Sequence, residues 1–211
     1  MNHTSPSGVQ CWGAKGGLRA RCLALCGLAT LLLAGCASSP PSKFYTLTST
    51  PASAAAPAAA TAALPIRVAS VHIPPMLDRQ EIARPSAGNQ LEINGQERWD
   101  APLDEMIQQV LTRDLLTRLP AGKVILPSAP APANLQSIAL NVLQFQSDVS
   151  GSVVLEGSWS LVPSHATSPI LIRDFRYTAA ASSHSTADEV STMSALLGQL
   201  ADEIASSLPA H

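Results

Sequence analysis

The sequence predicts an α+β fold in which two amphipathic helices pack on one face of a mostly antiparallel sheet. Two segments, 103–119 and 190–208, have apolar residues at helical spacing. Other segments alternate apolar and polar residues and are separated by turn dipeptides such as Ser150-Gly151. All of this patterning lies within residues 66–211, a length that fits one domain.

The first 35 residues have the organisation of a secretory signal peptide. Three basic residues precede an apolar stretch over 22–33, which is shorter than the roughly 20 residues that span a bilayer. The run Leu33-Ala34-Gly35-Cys36 then resembles a bacterial lipobox, in which the Cys becomes the first mature residue and carries acyl chains. The alternatives are an ordinary signal peptide with a chance Cys, or a small apolar helix.

Acylation of Cys36 would define the membrane class of the whole protein. Several acyl chains hold a protein stably at a bilayer, and no later segment offers 18 consecutive apolar residues. Residue 37 is Ala, whereas the lipoprotein sorting pattern uses Asp there to retain a protein at the inner membrane. We therefore expect a soluble domain tethered to the outer membrane on its periplasmic face.

Removal of the signal peptide changes the chemistry that the chain offers. The other cysteines, Cys11, Cys22 and Cys26, would be lost with it, so the mature chain would have no disulfide and no thiolate ligand. It would keep 10 basic and all 15 acidic residues, a net charge of −5. This charge and an aromatic content of 4% do not suit a nucleic-acid partner.

Residues 36–65 form a lipid-anchored N-terminal segment with one short strand. Phe44–Leu47 is a compact β-prone patch, and 49–65 is an Ala/Pro-rich stretch that reads as a loop. If the patch docks in the sheet, the domain stays within about 25 Å of Cys36, since extended chain spans at most ~3.6 Å per residue. If it does not dock, the domain can reach much farther.

The patterned domain begins with short strands. Three are predicted, over 66–73, 80–84 and 91–93. The last two pair across a Gly88-Asn89 turn. Residues 96–99 form a further short strand, for which Asn94-Gly95 offers a hairpin turn.

The first helix follows this strand region. Its start is marked by Pro102 and by acidic residues in the first turn, and Gly122 suits its stop. Its apolar positions are Leu103, Met106, Ile107, Val110, Leu111, Leu115 and Leu119.

Three longer strands come next, over 138–146, 153–161 and 170–180. The first two form a hairpin through Ser150-Gly151. The apolar phase of the first strand slips by one residue near Val142–Leu143, which predicts either a β-bulge or burial of both faces. Thr186 to Glu189 reads as a capping box that opens the second helix, and Pro209 follows its end.

No motif for catalysis or metal binding occurs in the chain. The four mature histidines, His72, His165, His184 and His211, lack metal-ligand spacing. Asp148 and Glu156 could be read as paired catalytic carboxylates, but their spacing across a hairpin also fits a solvated sheet edge, which we favour. We expect no enzyme, no metal and no cofactor beyond the acyl chains on Cys36.

Two polar clusters are candidates for partner binding. Asp78 and Arg79 follow a strand and a Pro-Pro stop, and Arg98 and Trp99 precede the first helix. Trp and Arg are favoured anchors at protein interfaces. The structural reading is that Asp78 caps a turn, that Arg79 or Arg98 pairs with a carboxylate, and that Trp99 is buried.

These residues also carry a resemblance to a known family. The succession resembles the ABC-type transport auxiliary lipoproteins, PqiC-like components of intermembrane transport systems. The shared features are, in order, Cys36, Phe44-Tyr45-Thr46-Leu47, Leu77-Asp78-Arg79, Arg98-Trp99, Phe145, Gly151, Leu155 and Trp159. The long Ala/Pro-rich stretch departs from the family pattern.

The resemblance implies a function in lipid or hydrophobic-solute transport and envelope integrity, without catalytic residues. Its implied partners are an inner-membrane-anchored MCE-domain protein and the associated membrane transporter. From the two polar clusters, we take Asp78, Arg79, Arg98 and Trp99 as the candidate interaction residues. A homo-oligomer stays open. One alternative is a periplasmic module that holds an acyl chain between sheet and helices, and another is a periplasmic hydrolase, for which the chain lacks a recognisable nucleophile.

Overall fold

The computed structural model describes residues 41–52 and 64–209 of the 211-residue chain. The predicted signal peptide, Cys36 and most of the Ala/Pro-rich stretch lie outside these residues. Seven strands and two helices occur in the described part. In chain order they are β1 (Lys43–Tyr45), β2 (Ile66–His72), β3 (Glu81–Ser86), β4 (Gln90–Trp99), α1 (Leu103–Arg118), β5 (Gln136–Ser147), β6 (Ser152–Pro163), β7 (Leu171–Ala180) and α2 (Thr186–Ser207).

The strands form two mixed sheets. The larger has the order β2-β5-β6-β7, and the smaller has the order β1-β4-β3. The hairpin pairs are antiparallel, whereas β2 pairs with β5 and β1 with β4 in parallel. The α+β class is confirmed, but the expectation of one sheet is wrong. Parallel pairing joins segments far apart in sequence, so no turn dipeptide marks it.

Both helices pack on the larger sheet and on each other, which confirms the predicted layers. α1 contacts β2, and α2 contacts β5, β6 and β7. The inward residues of β6 alternate with partly exposed ones, as in a sheet with one solvated face. Among the largest fully buried side chains are Trp159 of β6, Ile107 and Leu111 of α1, and Leu197 of α2.

The β-bulge predicted in β5 is confirmed. Val142 pairs with Gly157 and Gln144 with Glu156, so Leu143 is the extra residue. Its side chain is 60% exposed, while Val142 and Phe145 are buried. Because of the bulge, the apolar side chains on both halves of β5 face the core, while the side chain of Leu143 faces solvent.

The β3–β4 hairpin turns through residues 87–89, where Gly88 and Asn89 have φ of 73° and 60°, the left-handed region that these residue types tolerate best. The predicted second hairpin at Asn94-Gly95 is wrong, because β4 continues without a break to Trp99. The register instead shifts between Glu81 and Ala83. Asn94 makes a local turn inside the strand, where its side-chain oxygen accepts a hydrogen bond from the Gln96 amide at 3.0 Å.

The predicted capping box is shifted by one residue. Ser185 is the N-cap of α2, and its hydroxyl accepts a hydrogen bond from the Asp188 amide at 3.2 Å. Thr186 and Glu189 have a different role, since both accept hydrogen bonds from the Arg84 guanidinium at 2.7 Å. These charge-assisted bonds to Arg84 fasten the smaller sheet to α2.

The Phe44–Leu47 patch docks, which resolves the alternative that the sequence left open. β1 pairs with residues 97–99 of β4, and the Asp100 amide donates to the Tyr45 carbonyl at 2.9 Å. The side chain of Leu47 is buried in the core. Lys43–Tyr45 is therefore an integral strand of the smaller sheet.

Candidate partner-binding surface

The turn after β2 presents the first predicted site residues. The Leu77 amide donates to the Pro74 carbonyl at 2.9 Å, and the Leu77 side chain is buried. With Leu77 fixed in the core, the neighbouring Met76 and Asp78 side chains are exposed. The Pro-Pro stop thus directs one apolar and one acidic group to solvent.

Glu81 joins the two predicted clusters. Its carboxylate oxygens lie 3.7 Å from Arg79 Nε and 3.7 Å from Arg98 Nη2. We call Arg79, Glu81 and Arg98 the Arg–Glu–Arg cluster. Its ion pairs are partly exposed, and each such pair contributes at most about 1 kcal/mol to stability, so their main effect is to order the surface. Sequence reasoning missed Glu81, because its position opposite Arg98 follows from the long β4 strand and its register shift, which were not predicted.

Trp99 is not part of this surface. Its side chain is buried, and its backbone amide donates to the Gln80 carbonyl at 2.7 Å. The structure therefore supports the structural reading for Trp99, which holds the end of β4 in place next to Arg98. Its indole is not presented as an interface anchor.

A groove lies between the turn after β2 and the bulge of β5. It has a volume of about 280 Å³ and is lined by Met76, Leu77, Leu143, Gln144 and Gln146. We call it the Met76–Leu143 groove. The side chain of Gln146 is buried, and its Oε1 has no hydrogen-bond partner within the described part of the chain. The groove therefore offers two exposed apolar side chains and one buried acceptor.

The core beneath this surface has little free volume. The cavity that reaches inward from Arg79 past Trp99 and Phe145 to Met193 measures about 20 Å³. Ligand pockets in proteins usually measure about 300–1,000 Å³. Within the described residues, this cavity does not offer the room that the acyl-chain alternative requires.

The acidic pair Asp148 and Glu156 has two separate structural roles. Asp148 accepts hydrogen bonds from the Ser150 hydroxyl at 2.6 Å and from the Ser150 and Ser152 amides. The hydrogen bond from the Ser150 side chain is the main cause of the lowered pKa of Asp148. Glu156 pairs with Arg176 across β6 and β7. Neither 41–52 nor 64–209 contains a group of three metal-ligating side chains.

A second cluster, which sequence reasoning missed, fixes the N-terminal segment to the helices. Arg118 at the end of α1 is buried, and its Nε donates to Asp202 Oδ1 of α2 at 2.6 Å. Its remaining donors reach backbone carbonyl oxygens of Thr50 (3.1 Å), Pro51 (3.2 Å), Asp114 (3.1 Å) and Gly198 (3.1 Å). We call this the Arg118 cluster.

Asp114 completes the cluster from α1. Its Oδ1 accepts a hydrogen bond from the Thr50 amide at 2.8 Å and lies 3.7 Å from Arg118 Nη1. Burial raises the pKa of Asp114 from 3.8 to about 6, although the Thr50 hydrogen bond and the Arg118 charge oppose the shift. The residues after β1 are thus held between the two helices.

The raised pKa of Asp114 predicts a pH dependence of stability. Folding favours the protonated form of Asp114, so its protonation adds to the free energy of unfolding. This added stability is fully present below pH 3.8 and is lost as the pH rises through about 6. From pH 7 to pH 5, we expect the free energy of unfolding of the native protein to rise by about 1 kcal/mol relative to Asp114→Asn.

Urea unfolding at the two pH values measures this difference. Asp174→Asn, at an exposed position of β7, controls for general charge effects. A difference between native protein and Asp114→Asn that stays constant between pH 5 and pH 7 would contradict the assignment.

No helix in the described part of the chain is long and apolar enough to cross a membrane.

Comparisons with known proteins relate the fold to solved structures. A crystal structure of an uncharacterized protein aligns with TM-score 0.64 and 20% identity, covering 79% of this chain and 97% of the other. Protein XCC0632 from Xanthomonas campestris, of the domain family DUF330, aligns with TM-score 0.62 and 23% identity, covering 77% and 92%. A weaker likeness, with TM-score 0.35, 15% identity and coverage of 72% and 95%, is to the PelC L103M dodecamer from Paraburkholderia phytofirmans.

The sequence itself matches one family model over most of its length. No curated protein matches the chain. The match to the family model covers residues 45–205, from β1 to the last turn of α2. It therefore spans both sheets, both helices and the candidate surface. The chain belongs to the family of ABC-type transport auxiliary lipoprotein components.

Proposed function

We propose that the protein is an outer-membrane lipoprotein that docks onto an inner-membrane-anchored MCE-domain protein in a system for intermembrane transport of lipid or hydrophobic solute. Family membership supports a role beside a transporter. The observation that carries the docking role is the Met76–Leu143 groove beside the Arg–Glu–Arg cluster. The protein acts by contacting its partners and supports envelope integrity without catalysis.

The chemistry of this surface suits a protein partner. Interfaces combine an apolar centre with a polar, hydrated rim. Here Met76 and Leu143 supply the apolar centre, and the Arg–Glu–Arg cluster supplies charges of both signs at its edge. A backbone N–H of an inserted segment would satisfy Gln146 Oε1, the buried acceptor in the groove.

The anchor would keep this surface close to the outer membrane. Acyl chains on Cys36 are the proposed attachment, and six residues separate Cys36 from β1. That chain spans at most about 25 Å when extended. Because β1 and the residues after it belong to the fold, the Ala/Pro-rich stretch acts as an insertion behind the tether and does not lengthen it.

Substitution of Leu143 tests the docking role. Leu143→Asp should keep its stability within about 0.5 kcal/mol of the native protein, because the side chain already faces solvent. It should nevertheless abolish co-purification of an MCE-domain protein with the acylated chain from detergent extracts, because the charge would be buried in the docked groove. Quantitative mass spectrometry of the purified material provides the measurement.

The matched control is Ile172→Asp. Ile172 is 62% exposed, close to the 60% of Leu143, but it lies on the edge strand β7 of the larger sheet. This control should retain the partner. Equal retention of the MCE-domain protein by both variants would contradict docking through the Met76–Leu143 groove.

A further inference from the structure

The smaller sheet has two faces of different character. One face lines a polar groove of about 670 Å³, to which Lys43 and Tyr45 of β1 and Glu92 and Asn94 of β4 contribute. Side chains alternate across a strand. Phe44, between two groove-lining residues of β1, therefore points to the opposite face.

The opposite face carries large apolar side chains. By the same alternation, Leu91 and Ile93 of β4 point away from the polar groove, as Phe44 does. Phe44 is 63% exposed, Leu91 43% and Ile93 42%. Arg98 pairs with Phe44 across the two strands, and its guanidinium contacts Glu81 and the Gly95 carbonyl. We call the side formed by Phe44, Leu91 and Ile93 the Phe44–Ile93 face.

The length of the chain before β1 indicates what covers this face. Only six residues lie between Cys36 and Lys43, so an acyl anchor on Cys36 would hold β1 within about 25 Å of the bilayer surface. A short tether converts a weak second contact into an intramolecular one with a high effective concentration. Apolar side chains that alone would bind lipid only marginally are therefore sufficient here.

We propose that the Phe44–Ile93 face rests on the lipid surface to which the protein is anchored. Phe44 lies nearest the tether and inserts its ring at the headgroup level, where aromatic side chains are favoured. The contact fixes the orientation of the domain, which a flexible tether alone would not do. This inference rests on the proposed lipid anchor of Cys36.

Depth-dependent fluorescence quenching tests the proposal with the full, acylated chain. The protein is reconstituted into vesicles of phosphatidylethanolamine with a minority of phosphatidylglycerol. Leu91→Cys and Ile93→Cys are labelled with an environment-sensitive fluorophore, since the predicted mature chain has no thiol other than Cys36. Thr178→Cys, at an exposed position of β7, is the control. Brominated lipids are expected to quench the first two labels several-fold more than the control.

The outcomes separate this inference from the anchor on which it rests. If the protein floats with the vesicles but all three labels are quenched equally, the lipid anchor is supported and the proposed orientation is contradicted. Protein that does not float overturns the anchor, and the inference with it. Disulfide-linked dimers of Leu91→Cys without quenching by lipid would show that a second copy of the chain covers the Phe44–Ile93 face. This result would also contradict the proposed lipid contact.

A second variant checks that the apolar contact carries the effect. Phe44→Ser should weaken the quenching of the label at position 91, while the thermal unfolding curve stays unchanged because Phe44 is largely exposed. The quenching should persist at high salt, since apolar contacts are not screened. Loss of quenching in salt, with no effect of Phe44→Ser, would overturn the apolar contact.

Discussion

Arg118→Ala should lower the free energy of unfolding by about 3–5 kcal/mol, because removal of one partner leaves buried polar groups uncompensated. The carboxylate of Asp114 would lose its nearby positive charge, and the carbonyl oxygens of Thr50 and Gly198 would lose their donor. A loss of this size is a large part of the 5–15 kcal/mol that typically stabilises a domain. For a domain of this size, it corresponds to a decrease in Tm of about 10 °C.

The same substitution should loosen the N-terminal segment. Arg118 holds the backbone of Thr50 and Pro51 against α2, where Gly198 leaves room for Thr50. A Cβ at position 198 would collide with the Thr50 hydroxyl, so a larger residue there would require the Thr50 side chain to move. We therefore expect a protease to cleave residues 49–65 faster in the Arg118→Ala variant than in the native protein.

Urea unfolding and limited proteolysis measure the two effects. Arg113→Ala is the matched control, because Arg113 lies on the same helix but is exposed. The control should change stability by no more than about 0.5 kcal/mol. An effect of Arg118→Ala as small as that of the control would contradict the role of the Arg118 cluster.

Cys36→Ser should move the protein from the membrane fraction to the soluble periplasmic fraction almost completely. Each buried methylene contributes about 0.8 kcal/mol to membrane binding, so loss of all acyl chains removes the attachment. The Phe44–Ile93 face alone is too small to replace it. Density-gradient separation of the two membranes, followed by immunodetection, gives the distribution, and the native protein is expected with the outer membrane.

Cys26→Ser provides the control for this experiment. Cys26 lies in the same predicted signal peptide but outside the Leu33–Cys36 lipobox, so this variant should behave like the native protein. Retention of Cys36→Ser in the outer membrane at the native level would contradict the lipid anchor.

The local elements of the fold could be predicted from the sequence because their signals are local. The periodicity of α1 and α2, the Gly88-Asn89 turn and the phase slip at Val142–Leu143 each lie within one short stretch. The division into two mixed sheets could not, since the parallel partners of β1 and β2 are far away in sequence. The contacts of Arg84 with Thr186 and Glu189 could not be predicted either, since they join residues about 100 positions apart.

The candidate surface could be predicted only in part. Arg79 and Arg98 stand out as charged residues next to strand and helix boundaries, and the structure brings them together through Glu81. The Arg118 cluster could not be found this way, because its contacts join the segment after β1 to both helices. The buried charge of Arg118 is compensated by groups from segments that are far apart in the sequence, so no single segment shows a pattern that predicts the cluster.

The most direct measurement of the central claim is the identity of the protein that the native, acylated chain retains. The full protein is extracted with detergent from separated outer membranes after crosslinking in intact cells, and its partners are identified by mass spectrometry. We predict that an MCE-domain protein anchored in the inner membrane is recovered, and that its yield falls for Leu143→Asp but not for Ile172→Asp. Recovery of the acylated protein without any MCE-domain protein would contradict the proposed function.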